Sequence, residues 1–142
     1  MQDQTAVSYH HGNLRQELLE CAERHLIAGG IAKLSLRALA REIGVSQTAP
    51  YRHFEDKDAL LAALATSGFH RLFDRVSDQL AGRTLRSALR DLGMAYLDFA
   101  IQHTEIFRLM FGPGLQPRNK YPELFAAGRE AILKVSRLIE AA

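Results

Sequence analysis

The chain has 142 residues, of which 47% are hydrophobic and 24% are charged, and its formal net charge is +2 at pH 7. This length allows one compact domain or a small domain joined to a larger helical one, and the near-neutral charge does not by itself indicate a nucleic-acid partner. The sequence has no apolar run long enough for a membrane span and no signal-peptide pattern, and its single cysteine excludes an internal disulfide, so we expect a cytoplasmic protein.

The N-terminal part begins with a polar segment and continues as an amphipathic helix. We expect residues 1–11 to form a flexible arm. Asn13 is a candidate N-cap for a helix over residues 14–28. The predicted core face of this helix consists of Leu18, Ala22 and Leu26.

Residues 35–54 are the most informative segment of the chain. Ser35 is a good N-cap, and an apolar stripe at helical spacing follows it. Arg37, Arg41 and Glu42 lie off this stripe, toward solvent or phosphate. Gly44 stands where the helix must end, and glycine tolerates the positive φ that such a turn often needs. The stripe consists of Leu36, Leu39, Ala40 and Ile43.

A second, very short helix is expected after this turn. Ser46 is its candidate cap, with Thr48 as the alternative. Pro50 would forgo an early hydrogen bond and disfavours helical angles in the residue before it, so we expect the helix to start late, nearer Thr48. Residues 51–53 then project outward, while Phe54 faces the core. Two helices joined in this way predict a helix-turn-helix, which places one helix in the DNA major groove.

A long helix follows, and Asp56 is its predicted cap. Residues 81 and 82 (Ala-Gly) are expected to end it. Its predicted buried side consists of Leu60, Leu61, Leu64, Gly68, Leu72 and Val76.

Three more helices complete the prediction. Thr84 is expected to cap a helix that runs to about Gln102, and Thr104 a short helix that ends at Phe111. The last helix begins near Pro122 and is still amphipathic where the chain stops. The stripe predicted for the first of these three consists of Leu85, Leu89, Leu92, Tyr96 and Phe99.

The run from Leu14 to Leu61 resembles the DNA-binding domain of the tetracycline-repressor-like (TetR) family of bacterial regulators. The sequence departs from many members at Thr48, where glycine is common, and at Arg52, where a second aromatic residue is common. The matching features are Ala22, Gly30, Ser35, Leu39-Ala40, Gly44-Val45-Ser46, Tyr51, His53-Phe54, Lys57 and Leu60-Leu61.

This resemblance implies an all-α fold in which a three-helix helix-turn-helix domain is joined by a long fourth helix to a helical ligand-binding and dimerisation domain. The implied domains are residues 12–72, with the helix-turn-helix at 35–54, and residues 73–142. Family members usually continue with further helices, so we expect the second domain to be incomplete at its C-terminus. The implied function is a ligand-responsive repressor that binds a palindromic double-stranded DNA operator as a homodimer.

The resemblance and the order of residues along the short helix together predict the DNA contacts. Residues 47–50 are expected at base edges, and Tyr51, His53 and Lys57 are expected at phosphates, which position a protein without reading sequence. The full predicted DNA-binding set is Arg37, Ser46, Gln47, Thr48, Ala49, Pro50, Tyr51, Arg52, His53 and Lys57.

Residues 85–115, which include the run HTEIFRLMFG, resemble the C-terminal region of one TetR subgroup, where this region forms the effector-sensing domain. An apolar pocket between helices is the usual ligand site of a helical bundle. The alternative interpretation of its residues is an ordinary core. The predicted pocket residues are Tyr96, Phe99, His103, Phe107, Met110 and Phe111.

Other chemistries find little support in the sequence. The His10-His11 pair has no carboxylate or cysteine nearby at ligand spacing, so no metal site is expected. Cys21 and His25 form an i, i+4 pair without an acid or an oxyanion element, which does not predict a nucleophile. We find no phosphate loop, carboxylate pair or triad, and therefore expect neither an enzyme nor a cofactor.

A second class of function stays open at the level of sequence. The chain would then be a helical sensing or protein-interaction module whose helix-turn-helix is vestigial. The joint presence of Tyr51, His53 and Lys57 argues against this alternative.

Overall fold

The computed structural model describes residues 13–79 and 82–141, so the predicted arm at residues 1–11 lies outside the described residues. Within these ranges the chain is helical and forms no strand, which confirms the all-α prediction. None of the described helices is long and apolar enough to cross a membrane. The α-helices are α1 (Leu14–Gly29), α2 (Leu36–Ile43), α3 (Lys57–Gln79), α4 (Leu85–Gln102), α5 (Thr104–Phe111) and α6 (Pro122–Glu140). The 3₁₀ helices are η1 (Ile31–Lys33), η2 (Ala49–Arg52) and η3 (Arg118–Lys120).

The chain divides into two compact units within α3, after Leu60. The sequence predicted a domain boundary after residue 72, which lies 12 residues, or about three helical turns, further along the same helix. The boundary cannot be seen in the sequence, because the apolar stripe of α3 continues without interruption on both sides of Leu60.

The N-terminal unit is built on α1 and α2. The predicted core residues of α1 are buried, and so are Leu36, Leu39 and Ala40 of α2. Asn13 does not cap α1 with its side chain, contrary to the prediction; its backbone carbonyl instead accepts a hydrogen bond from the amide of Glu17 at 3.1 Å. This main-chain bond is the ordinary first bond of the helix, and it leaves the amides of the first turn without a side-chain acceptor from Asn13.

The start and the buried face of α3 agree with the prediction. The Asp56 carboxylate accepts a hydrogen bond from the amide of Ala59 at 2.8 Å. All six predicted stripe residues, from Leu60 to Val76, are buried. Ala81 lies outside the described residues, while Gly82 has a φ of +79°.

The C-terminal unit contains α4, α5 and α6, and two predictions about it were wrong. Thr84 caps α4 as expected, since its side chain accepts from the amide of Ser87 at 3.4 Å. Thr104 does not cap α5: it is the first residue of that helix, and its hydroxyl donates to the carbonyl of Ala100 at 2.9 Å. Residue 104 lies inside the helix, and the N-cap position falls on His103, whose side chain makes no cap hydrogen bond.

The predicted buried stripe of α4 was also partly wrong. Phe99 is buried, but Leu89 and Tyr96 are exposed, and Leu85 and Leu92 are half-buried. The most buried face instead passes through Ala88 and Phe99. Apolar residues lie on several sides of α4, so helical spacing alone did not determine which side faces the core.

Candidate DNA-binding surface

The turn after α2 has the geometry that the sequence predicts. Ser35 accepts a hydrogen bond from the amide of Ala38 at 3.1 Å and begins the helix. Gly44 ends it in the left-handed conformation, with φ +86° and ψ +29°. The amides of Gly44 and Val45 both donate to the carbonyl of Ala40, at 2.9 and 3.0 Å. These paired bonds close the helix and direct the chain into the next segment.

The second helix of the motif is a single 3₁₀ segment, η2, that begins at Ala49. This confirms the expected late start near Thr48. The predicted cap was wrong, because neither Ser46 nor Thr48 accepts from a helix amide, and their hydroxyls lie 3.3 Å from each other. Pro50, the second residue of η2, has no N–H to offer a capping oxygen, and the amide of Tyr51 already donates to the Thr48 carbonyl at 3.2 Å.

Buried residues hold this short segment in place. The carbonyl of Pro50 accepts from the amides of His53 and Phe54, both at 3.0 Å. The ring of Phe54 is buried as predicted, and the guanidinium carbon of Arg15 lies 5.4 Å from its centroid. Pro50 is itself fully buried, which argues against its predicted approach to base edges in this conformation.

The remaining predicted DNA-binding residues lie at or near the surface. Tyr51 has 51% of its area exposed. Ala49 and Lys57 are half-buried, and the Lys57 ammonium donates to the carbonyl of Ile31. Lys57 is also the first residue of α3, where the unpaired amides of a long helix favour an anion. The exposed members of the set are Arg37, Ser46, Gln47, Thr48, Tyr51, Arg52 and His53.

A polar cluster that the sequence did not predict lies between α1 and α2. Glu42, which is exposed as expected, also accepts a hydrogen bond from the Cys21 thiol at 2.9 Å. The same oxygen, Oε2, is in hydrogen-bond contact with Nε2 of His25. The expectation that Cys21 and His25 have no acid beside them was therefore wrong. Glu42 is 17 residues from His25 and 21 from Cys21, so local spacing gave no signal for this contact.

The environment of this cluster shifts two pKa values in opposite directions. Burial raises the pKa of the Cys21 thiol to about 12, and its hydrogen bond to Glu42 acts in the same direction. The hydrogen bonds from Cys21 and His25 lower the pKa of Glu42. The nearby guanidinium of Arg24 favours the charged forms of both Cys21 and Glu42 to a smaller degree. Within this cluster, the thiol of Cys21 therefore donates a hydrogen bond to the carboxylate of Glu42.

The C-terminal unit contains an apolar cavity of about 530 Å³. Residues of α5 and α6 and of the segment between them form most of its wall, together with Phe69 of α3. Met110 and Phe111 are the only two of the six predicted pocket residues that line it. Its wall is otherwise formed by Phe69, Gly112, Gln116, Arg118, Leu124, Phe125, Gly128, Arg129, Ala131, Ile132 and Leu133.

The other predicted pocket residues pack mainly against one another. The ring centroids of Tyr96 and Phe107 are 5.1 Å apart in an edge-to-face arrangement, and those of Phe107 and Phe111 are 4.8 Å apart. Phe99 is buried, and its ring centroid lies 4.9 Å from that of His103. These contacts form a partly exposed aromatic cluster beside the cavity.

Comparison with known proteins supports the resemblance noted in the sequence. The sequence model for the family described as "Bacterial regulatory proteins, tetR family" matches residues 18–64. The solved structure of a protein of unknown function from Rhodococcus sp. RHA1 has a TM-score of 0.78 and 40% identity, and the match covers 99% of this chain and 71% of that one.

Two curated bacterial regulators also match about half of the chain. An uncharacterised HTH-type transcriptional regulator, YobS, from Bacillus subtilis (strain 168) is 36% identical over 74 residues, which are 52% of this chain and 39% of YobS. The HTH-type transcriptional repressor AcnR from Corynebacterium efficiens is 35% identical over 79 residues, which are 56% of this chain and 42% of AcnR. The chain thus matches about two fifths of the length of these two relatives.

Proposed function

We propose that this chain, which belongs to the TetR family of bacterial regulatory proteins, acts in a transcriptional regulator that binds a specific double-stranded DNA operator through residues 35–54. The family consists of DNA-binding regulators rather than enzymes, as the sequence also predicted. The observation that carries the proposal is the exposure of Gln47, Thr48 and Tyr51 on a segment fixed from beneath by Pro50 and Phe54.

The proposed contacts follow from this surface. Gln47 and Thr48 precede the first residue of η2, where exposed polar side chains can hydrogen-bond to base edges in the major groove. Tyr51 and His53 bind phosphates with their hydroxyl and imidazole groups. Lys57 adds an ammonium beside the free amides at the start of α3, so that one phosphate can meet both.

Selection of bound duplexes from a random pool tests the proposal directly. We expect the chain to enrich one sequence motif, and Gln47→Ala to change the enriched bases without abolishing binding. Gln102→Ala, the same substitution at an exposed glutamine of the C-terminal unit, is the control and should leave the motif unchanged. A pool without enrichment, or a motif unaffected by changes at both Gln47 and Thr48, would contradict the proposed reading surface.

The regulator is further proposed to act as a homodimeric repressor on a palindromic operator. The relative AcnR is named a repressor, and dimers are usual in the family. A two-fold symmetric protein matches two half-sites about 34–36 Å apart or a multiple of it. The side chains exposed on α6, among them Phe125 and Ile132, provide an apolar surface for a second copy.

The 530 Å³ cavity is the proposed site of a small, largely apolar effector. Its wall is mostly aliphatic and aromatic, with Arg118 and Arg129 as its charged members. We propose that an effector bound here changes the position of α3, the helix that also carries Lys57, and so releases the operator. Such coupling requires that the effector bind one conformation more tightly than the other.

The dye ANS, an apolar anion, is a suitable probe of this cavity. Gly128 lines the cavity, and a side chain built on it would first meet Phe69 at an ordinary contact distance of 3.9 Å. Gly128→Leu should therefore reduce ANS fluorescence by filling the space. Gly93→Leu, on a helix position with open space, is the matched control. Equal fluorescence in both variants would remove the support for this ligand site.

A further inference from the structure

We propose that Cys21, His25 and Glu42 form a binding site for one divalent transition-metal ion of the zinc type, which joins α1 to α2. The possible ligand atoms of these three residues all lie within 4.8 Å of one another. The site is distinct from the residues proposed to contact DNA, and the inference does not depend on the proposed function.

The placement of the three ligands follows from the two helices. Cys21 and His25 are four residues apart on α1, so their side chains lie on the same face, one turn from each other. Ligand pairs at this spacing are a common way for a helix to hold zinc. Glu42, in the last turn of α2, supplies the third ligand from across the helix contact.

The chemistry of the ligand set selects the class of metal. A thiolate, an imidazole and a carboxylate are all zinc ligands, whereas calcium and magnesium require oxygen ligands almost exclusively. The side chains of His25 and Glu42 are 29% and 48% exposed, so water can reach the site and provide a fourth ligand. Three protein ligands and one water make a tetrahedral open site.

An ion would require small shifts of these side chains, because Glu42 is now in hydrogen-bond contact with His25 and the ligand atoms are otherwise as much as 4.8 Å apart. Ligand atoms of a tetrahedral zinc ion stand about 3.3–3.8 Å apart, given bond lengths of about 2.0–2.3 Å. Cys21 Sγ and Glu42 Oε2 are 2.9 Å apart because a hydrogen bond now joins them. A bound ion would replace the thiol proton in this bond, and the exposed carboxylate of Glu42 can withdraw by the small distance required.

Arg24 provides an electrostatic check on the assignment. Its positive charge lies near Cys21 and Glu42 and opposes the binding of a cation. The side chain is exposed, so it can move away from the site. Arg24→Gln should therefore bind metal at least as tightly as the unaltered chain.

Titration of the metal-free 142-residue chain with Co²⁺ tests the proposal, because a cobalt–thiolate bond gives a charge-transfer absorption band. We expect one Co²⁺ per chain, this band, and its loss when Zn²⁺ is added. Cys21→Ser should abolish the band. His25→Gln and Glu42→Gln each remove a proposed direct ligand. Each should weaken binding by more than about tenfold, which is the lower end of the loss seen when a residue that hydrogen-bonds to a metal ligand is replaced.

A second readout, the melting temperature, separates metal binding from a purely structural hydrogen-bond cluster. Zn²⁺ binds the folded chain through residues of two helices, so it should raise the melting temperature of the unaltered protein and of Arg24→Gln. It should have no such effect on Cys21→Ser or His25→Gln. The melting temperature of each variant is first measured without metal, to show that the variant folds. If replacement of the buried Cys21 prevents folding, His25→Gln alone provides the comparison.

Histidines elsewhere supply the remaining control. The double variant His10→Gln/His11→Gln should keep the cobalt band and the zinc-dependent stabilisation. Three results would each overturn the proposal. The first is the absence of a thiolate band, and the second is loss of binding in the His10/His11 variant or in Arg24→Gln. The third is stabilisation by Zn²⁺ that persists in both Cys21→Ser and His25→Gln.

Discussion

The side chains of the N-terminal unit fall into two groups: those proposed to contact DNA, and buried ones that stabilise the fold of the unit. Tyr51 and Lys57 belong to the first group, and both are proposed to bind phosphates, which are the same in every sequence. Tyr51→Phe and Lys57→Ala should therefore weaken binding to all duplexes alike. Lys57→Ala should also lower the slope of log affinity against log salt by about one. Fluorescence anisotropy at several salt concentrations measures both effects.

The chain offers matched controls for these two substitutions. Tyr121→Phe and Lys120→Ala make the same chemical changes near the start of α6, in the C-terminal unit. They should leave affinity and salt slope unchanged. Because Lys57 also donates to the carbonyl of Ile31, its variant needs an unchanged melting temperature before its affinity is interpreted. Unaltered affinity in both Tyr51→Phe and Lys57→Ala would show that the phosphates lie elsewhere.

Leu39 is a supporting residue, and its side chain is completely buried in the N-terminal unit. Leu39→Ala should reduce the free energy of unfolding by about 2–5 kcal/mol, because it removes buried methyl groups and leaves a cavity. This is a large share of the 5–15 kcal/mol that stabilises a typical domain. Denaturant unfolding measures the loss. Ile27→Ala, at a side chain that is 63% exposed, should have little effect.

Several features that were predicted correctly have a local cause, although three other predicted caps do not form. Ser35 and Asp56 cap helices because a short polar side chain next to free amides needs no distant partner. Gly44 adopts the positive φ that its place in the turn required. The contacts of Glu42 were not predicted because its partners belong to another helix, and their positions depend on how α1 packs on α2.

The bounds of the helices were predicted more reliably than the side of each helix that is buried. The bounds of α2, α4 and α5 agree with the sequence pattern to within a residue or two. The buried side of α4 did not follow from spacing, since apolar residues surround much of that helix and tertiary packing chooses among them. The short helix of the motif is a single 3₁₀ segment, closed by bonds from the amide of Tyr51 to the Thr48 carbonyl and from the amide of His53 to the Pro50 carbonyl, and the sequence pattern did not predict this type of helix.

Two helical glycines give a test of packing between α3 and α5. A Cβ at Gly68 would lie 2.6 Å from Sδ of Met110 and 2.7 Å from Cγ2 of Ile106, whereas a Cβ at Gly93 would meet nothing within 4 Å. Gly93→Ala should stabilise the protein by about 0.5–1 kcal/mol, the usual gain in helix propensity. Gly68→Ala should instead destabilise it by about 1–3 kcal/mol through overpacking.

Melting curves of Gly68→Ala and Gly93→Ala measure these two changes in stability. The variants can be compared directly, since the substitution is the same and both positions lie in an α-helix. Opposite changes in melting temperature are the expected result. A similar gain in both variants would mean that α3 and α5 do not approach each other at Gly68.

At the scale of the whole molecule, the family could be predicted because its motif is a continuous run of about fifty residues. The lining of the proposed effector site could not be predicted in the same way. Its wall combines Phe69 of α3 with α5, α6 and the segment between them, and only Met110 and Phe111 were named beforehand. Aromatic residues on α4 and α5 suggested a pocket, but several of them fill the space between helices with their own rings.

Assembly gives the last prediction. Ile132 on α6 and Ile101 on α4 are 67% and 75% exposed, so a charge at either position should cost the isolated chain little stability. If α6 contacts a second copy, Ile132→Glu should bury an unpaired carboxylate in the dimer and shift the protein to monomer. Ile101→Glu is the matched control and should leave the oligomeric state unchanged. Sedimentation equilibrium measures both, without added ligand, because Ile132 also lines the cavity.

The same pair of variants connects assembly to DNA binding. A dimer holds its second recognition segment beside the second half-site, so a palindrome should bind more tightly than a single half-site. Ile132→Glu should lose this advantage and keep its affinity for one half-site, while Ile101→Glu should retain both. A monomeric Ile132→Glu variant that still binds the palindrome with full affinity would rule out dimerisation through α6 as the basis of operator recognition.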